Sequence, residues 1–145
     1  MNHASRYELT AVVMESGAGP DVIPVRVEVV GNRPAALEVT WAGKTHRIEK
    51  PDYFGCLVEL RELLEAEGRL LCCQGARGDA GPSGSLRQMS DGRQVYVYPE
   101  QRRRVSAADV VDAFAPADCS LVVTVEEQNR RHFARLGIER PDKQR

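Results

Sequence analysis

Residues able to do chemistry concentrate between positions 74 and 104. Gly75, Gly78, Gly81 and Gly84 recur at every third position through 74–85, and the same stretch carries Arg77, Asp79 and Ser83. A glycine-lined loop bearing a guanidinium, a carboxylate and a hydroxyl has the chemistry to hold an anionic metabolite. No G-K-[ST] follows, and the next run reads as strand rather than helix, so the spacing does not describe a P-loop. Three triplets are also too few for a collagen helix. Arg77-Gly78-Asp79 spells the integrin tripeptide, which carries weight only in a secreted chain. Further on lie Arg87, Arg93, Tyr96 and Tyr98; residues 77–104 hold six arginines against three acids. Arginine interleaved with tyrosine suits a protein-interface centre, where both bury large areas and still make directed hydrogen bonds. It also suits nucleic acid, through phosphate pairing and base stacking.

Other catalytic constellations are thin. The three histidines, His3, His46 and His132, are scattered, and no G-x-S-x-G is present. Cys56, Cys72, Cys73 and Cys119 show no C-x-x-C spacing, which argues against zinc. Without an export signal, the expectation is four reduced cysteines packed as small hydrophobes, with no disulfide, metal or cofactor.

The elements that must position these residues begin with strands. Tyr7, Leu9, Ala11 and Val13 alternate with outward residues, as do Ile23, Val25, Val27 and Val29, then Leu37, Val39 and Trp41, then His46 and Ile48. Period-two alternation between glycine and proline turns predicts a four-stranded antiparallel meander with one dry face. Pro24, lacking an N–H, predicts an edge or a bulge in the second run. Tyr53, Leu57, Leu60 and Leu64 form a helical stripe that covers the dry face, ending near Gly68. A short strand is expected over Arg69–Cys73, and a loop over 74–85. Leu86–Met89 and Arg93–Tyr98 around Asp91-Gly92 predict a hairpin. Ser106 and Asp109 suggest a capping box and a short helix over 107–113, with a short strand as the alternative. Leu121–Val125 reads as strand and Glu126–Leu136 as helix, with Phe133 and Leu136 inward. Residues 138–145 read as a frayed tail. The fold class is α+β: a single domain over 1–145, with an antiparallel sheet and a later hairpin packed on two helices.

Composition narrows the function classes. Twenty basic residues meet 21 acidic ones for a net charge of −1, which disfavours a general nucleic-acid or membrane binder. No apolar run approaches the roughly 18 residues of a membrane span. The opening residues Met1 to Glu8 lack an apolar signal core, so the cytoplasm is expected. Residues 69–77 (Arg-Leu-Leu-Cys-Cys-Gln-Gly-Ala-Arg), with Asp79, Pro82-Ser83-Gly84, Arg87-Gln88-Met89, Gly92, Val95-Tyr96 and the later Val125-Glu126-Glu127-Gln128 and Phe133, resemble a pattern in small bacterial proteins without an assigned activity. The likeness extends to immunity-type proteins encoded beside secreted toxins. That resemblance implies an α+β domain without catalytic motifs that binds a partner protein, in the concrete case a toxin. The expectation is therefore a non-catalytic interaction domain that recognises its partner through Arg77, Asp79, Ser83, Arg87, Arg93 and Tyr96. The alternatives are a small enzyme acting on an anionic metabolite at the glycine loop, and a nucleic-acid binder using the hairpin.

Overall fold

Alternation in the first fifty residues produces the strands it implies. In the computed structural model, which describes residues 5–15, 17, 19–100 and 104–136, β1 (Arg6–Val13), β2 (Val22–Asn32), β3 (Ala35–Trp41) and β4 (Lys44–Lys50) form the antiparallel meander. Tyr7, Leu9, Ala11, Val25, Val27, Leu37, Val39, Trp41 and Ile48 all bury on one face. The other face is wet and interleaves charge: Arg6 pairs with Glu28, Arg26 with Glu8, and Arg47 with Glu38. These pairs are about half exposed, so each contributes at most about 1 kcal/mol. Ala42 and Gly43 both adopt positive φ (54° and 76°), the two-residue turn that matches strand twist between β3 and β4.

The helix α1 (Tyr53–Ala66) covers the dry face. Asp52 caps it, its carboxylate accepting from Gly55 N–H at 2.9 Å. Cys56, Leu57, Leu60 and Leu64 are fully buried. Each buried leucine side chain stabilises by about 1.5–3 kcal/mol. The chain then leaves the helix through Gly68 (φ 79°) into β5 (Arg69–Leu71), which pairs with β1. The sheet thus has five strands in the order β4-β3-β2-β1-β5.

A second, three-stranded sheet follows, in the order β6 (Ala80–Gly81), β7 (Gln94–Val97), β8 (Val110–Asp112). One hydrophobic cluster joins both sheets and α1. Arg93 is built into it. Its guanidinium lies 5.0 Å from the Tyr53 ring centre and 5.9 Å from those of Tyr7 and Phe114. It donates to Tyr7 Oη (2.7 Å), which in turn donates to Asp112 (2.6 Å). Burial, chiefly, pushes the Tyr7 phenol up to about 12, so it remains a donor.

Several expectations are corrected. Residues 86–89 are not a strand: α2 (Gly84–Ser90) starts on Ser83, whose hydroxyl accepts from Leu86 N–H, and ends on left-handed Asp91 (φ 53°). Asp91-Gly92 is a helix exit rather than a hairpin turn, and β7 pairs instead with β6 and β8. With α3 (Val125–Leu136) the described residues hold three α-helices, not two. The capping box between Ser106 and Asp109 is present, but it opens a 3-10 turn over Ala107–Asp109, and β8 takes the next three residues. Leu121–Val125 is not a strand; a 3-10 turn (Cys119–Leu121) and one bridge, Arg77 to Val122, precede α3. Pro24 lies in a central strand, beyond the last β3 partner of β2, and the irregularity falls at Val29–Gly31. The Leu136 side chain, Arg102, Arg103, His3 and the 138–145 tail lie outside the described residues.

Candidate recognition surface

The glycine-rich stretch is a strap, not a loop. A 3-10 turn (Gln74–Ala76) leads through Arg77 and Gly78 into β6. Its backbone is tied to residues 113–123: Gln74 N–H to Ala115, Gly75 N–H to Ala113, Gly78 N–H to Leu121, and Val123 N–H back to Ala76. Three of the four spaced glycines answer to close packing; Gly84 faces open space. A Cβ at Gly75 would come within 2.5 Å of Leu57, one at Gly78 would strike Arg131, and one at Gly81 would lie 2.9 Å from His132 Nδ1. The glycines let α1 press on one side of the strap and α3 on the other.

Two buried side chains hold this sandwich. Arg61, 1% exposed in α1, donates to Gln128 Oε1 (2.6 Å), Val123 O (2.9 Å) and Gly75 O (3.4 Å). Gln128 of α3, 4% exposed, sends its amide to Gly75 O (2.7 Å), Arg77 O (2.9 Å) and Ala80 O (3.3 Å). The amide of Gln128 thus shares its two N–H groups among strap carbonyls, with Arg61 also donating to Gly75 O and Ala80 N–H to Arg77 O, and the knot ties α1, strap and α3 together.

Above the knot, an aromatic and cationic cluster reaches the surface. Tyr96 and Tyr98 share one face of the chain at β7, with ring centres 6.0 Å apart. His132 lies 6.1 Å from Tyr98 and fills the space left by Gly81, and Arg135 stacks on Tyr98 at 4.4 Å. Arg135 also donates to Gly78 O (3.2 Å). Among the described residues no carboxylate pairs with it. Burial, and then the charge of Arg135, hold the His132 imidazole below its usual value, so it is neutral at pH 7. Arg131 and Arg130 both pair with Glu127 on the flank of α3.

The residues expected to bind a partner divide into two groups. Arg77, Asp79 and Tyr96 belong to this surface. Arg77 and Asp79 form a two-pronged pair (2.8 and 2.8 Å) that turns the Arg-Gly-Asp tripeptide inward on itself, with Gly78 buried. Ser83, Arg87 and Arg93 have internal roles. Ser83 caps α2; Arg87 pairs with Asp52 (2.5 and 3.0 Å) over the Phe54 ring; Arg93 fills the aromatic box. Tyr98, His132 and Arg135 complete the surface, and Arg61 and Gln128 support it. The signal for those last two was a polar residue in an apolar stripe: Arg61 at i+4 from Leu57, Gln128 at i+3 from Val125.

The expectation of reduced cysteines is also corrected. Cys72, at the end of β5, is disulfide-bonded to Cys119, with Cα atoms 4.9 Å apart. Cys56 and Cys73 are free and buried, and burial pushes both thiols up to about 11. Among the described residues no group of three His, Cys, Asp or Glu side chains could hold a metal ion, and no helix is long and apolar enough to cross a membrane. No protein-family model matches the chain, and no curated protein is significantly similar to it.

Proposed function

We propose that this chain is a non-catalytic protein-interaction domain, most concretely an immunity-like inhibitor that holds a partner protein in the cytoplasm. Arg77, Asp79, Tyr96, Tyr98, His132 and Arg135 form its recognition face. One observation carries the reading: Arg135 lies stacked on Tyr98, next to Tyr96, and among the described residues no carboxylate comes within ion-pair distance of it, Asp79 acting on it only from farther off. An arginine already ordered on an aromatic ring loses little rotamer freedom on binding, and a partner carboxylate would complete its hydrogen bonds. The strap and its buried knot hold the face rigid, which favours recognition by a preformed surface.

The test is capture from the native host with three proteins: the parent chain, Tyr98→Ala/Arg135→Glu, and a control on the far sheet face, Arg47→Glu. A partner protein retained by the parent and the control, and weakened at least tenfold by the double substitution, supports the reading. Suppression by the chain of that partner's toxicity on co-expression supports the inhibitor role. Retention of every partner by the double variant overturns the face. Capture of nucleic acid alone, with affinity falling steeply with salt, transfers the function to the nucleic-acid alternative.

A further inference from the structure

The Cys72–Cys119 bond lies under the segment that leads into α3. Between buried Phe114 and buried Val122, residues 115–121 run along the surface; Pro116, Asp118, Ser120 and Leu121 are exposed. Besides the disulfide, this segment is tied to the rest of the chain by the Cys73–Pro116 bridge, by Cys119 packing against the hydrophobic cluster with Thr10 Oγ1 3.6 Å from its sulfur, and by four hydrogen bonds to residues 72–78. Ala117 N–H donates to Cys72 O at 3.3 Å, Gln74 N–H to Ala115 O at 2.8 Å, the Gln74 side chain to Pro116 O, and Gly78 N–H to Leu121 O at 3.0 Å. Segments with few buried apolar contacts and solvent-facing hydrogen bonds open at low free energy. The last of these links matters most. Gly78 gives its N–H to Leu121 and its carbonyl to Arg135. A contiguous path therefore runs from Cys119 through Leu121 and Gly78 to the arginine on Tyr98.

We infer that the Cys72–Cys119 disulfide is a redox latch on the recognition face: oxidised, it holds 115–121 against the strap and Arg135 in place; reduced, it lets that segment detach and the face loosen. The inference rests on the recognition reading for what the face is used for, but not for the motion itself. The reductant is a dithiol. Its thiolate attacks Cys119 Sγ, the more accessible sulfur, because Cys72 is 1% exposed and Cys119 is half-buried. The S–S bond breaks and Cys72 leaves as a thiolate that takes up a proton. The second thiol of the reductant then attacks its own sulfur in the mixed disulfide, releasing Cys119 as a thiol. Two electrons and two protons pass to the protein, and the reductant leaves as a cyclic disulfide. Cys73 does not compete: it is wholly buried, with its thiol held protonated. In the cytoplasmic setting proposed above, the face is therefore loosened and its capture weak at the resting reducing poise, and both tighten under oxidative stress.

Hydrogen exchange read by mass spectrometry tests this on the full chain, untreated and after dithiothreitol without denaturant, with intact mass reporting the gain of two hydrogens. Peptides covering 74–81 and 113–124 should exchange at least tenfold faster once reduced, at exposure times too short for β2 and β3 to exchange in either form, since those strands open only with global unfolding. Cys119→Ser should reproduce this without reductant, and Cys73→Ser should not. Equal exchange in both redox forms overturns the latch, as does an untreated protein with no disulfide or a bond that native dithiothreitol leaves intact. With the partner in hand, the oxidised form should bind at least tenfold tighter. Faster exchange with equal affinity overturns the regulatory role, provided Tyr98→Ala/Arg135→Glu still abolishes capture. If that double variant also binds normally, the recognition face has failed and the latch stands on exchange alone.

Discussion

Truncating Gln128 to alanine removes a side chain that bonds both α1 and the strap. The side chain makes a 2.6 Å bond from the Arg61 guanidinium and two short bonds to the carbonyls of Gly75 and Arg77, at 2.7 and 2.9 Å. A hydrogen bond to a charged group contributes roughly 1.5–3 kcal/mol and a neutral one roughly 0.5–1.5. Arg61 keeps Val123 O, Gly75 O and, at 3.9 Å, Glu65. Water admitted to the vacated space recovers part of the carbonyl loss. The expected cost is about 4 kcal/mol, or roughly 10–15 °C in Tm for a chain of this size. Urea unfolding followed by Trp41 fluorescence should show a lower midpoint at unchanged slope. Replacing both, Arg61→Met with Gln128→Met, also strips Val123 O and Gly75 O of the donors that Arg61 keeps in the single variant, and should cost more than Gln128→Ala alone. A loss below about 1 kcal/mol for Gln128→Ala, or a double variant more stable than Gln128→Ala, would refute the reasoning.

Further outcomes follow from the same packing. Leu60→Ala, at a fully buried site, should cost about 2–5 kcal/mol in urea unfolding. Gly81→Val should force His132 off the strap and destabilise by about 1–3 kcal/mol, with tyrosine near-UV dichroism changing alongside. Burial alone would raise the Asp52 carboxyl, but its hydrogen bonds from Arg87 and Gly55 and the Arg87 charge leave it below its ordinary value. Its stabilisation is therefore complete above about pH 4, the unfolded value, and lost as pH falls through the folded one. The parent's acid limb should accordingly be steeper than that of Asp52→Asn. Native thiol titration should find no reactive thiols, denaturation without reductant two, and denaturation with reductant four. Since the bond closes a loop of sequence separation 47, losing it should cost about 4 kcal/mol by the chain-entropy relation.

The elements with long, repeated patterns were legible before any coordinates. Period two placed β1–β4, and the stripe of Leu57, Leu60 and Leu64 placed α1, because burial on one face leaves that mark. The misreadings have specific causes. Asp91-Gly92 signals positive φ, and positive φ ends a helix as readily as it turns a hairpin. Four residues at Leu86–Met89 are too few for their spacing to separate the two. The strap reads as loop in the sequence because glycine supplies no periodicity, whereas its order comes from partners about forty to fifty residues away. Cys72 and Cys119 are neighbours only through the fold. Tyr96 and Arg77 were singled out by composition alone, and the surface they occupy is completed by Tyr98, His132 and Arg135, whose proximity is likewise tertiary.

Arg93 carries a consequence for how this chain can be divided. Its guanidinium sits among a ring from β1, a ring from α1 and a ring that follows β8, and it holds the Tyr7 hydroxyl. The first seventy residues therefore contain two walls of a cage, Tyr7 and Tyr53, whose third wall, Phe114, and occupant are encoded in the remainder. Expressed apart, each half would hold an incomplete element: two rings facing water, or a cation with one ring of its three. The two sheets, separate in their hydrogen bonding, share this cage and one hydrophobic cluster. Recombination or proteolysis between them should yield no shorter domain, and insertions are better tolerated at the exposed Ala42-Gly43 turn than at the junction following β5.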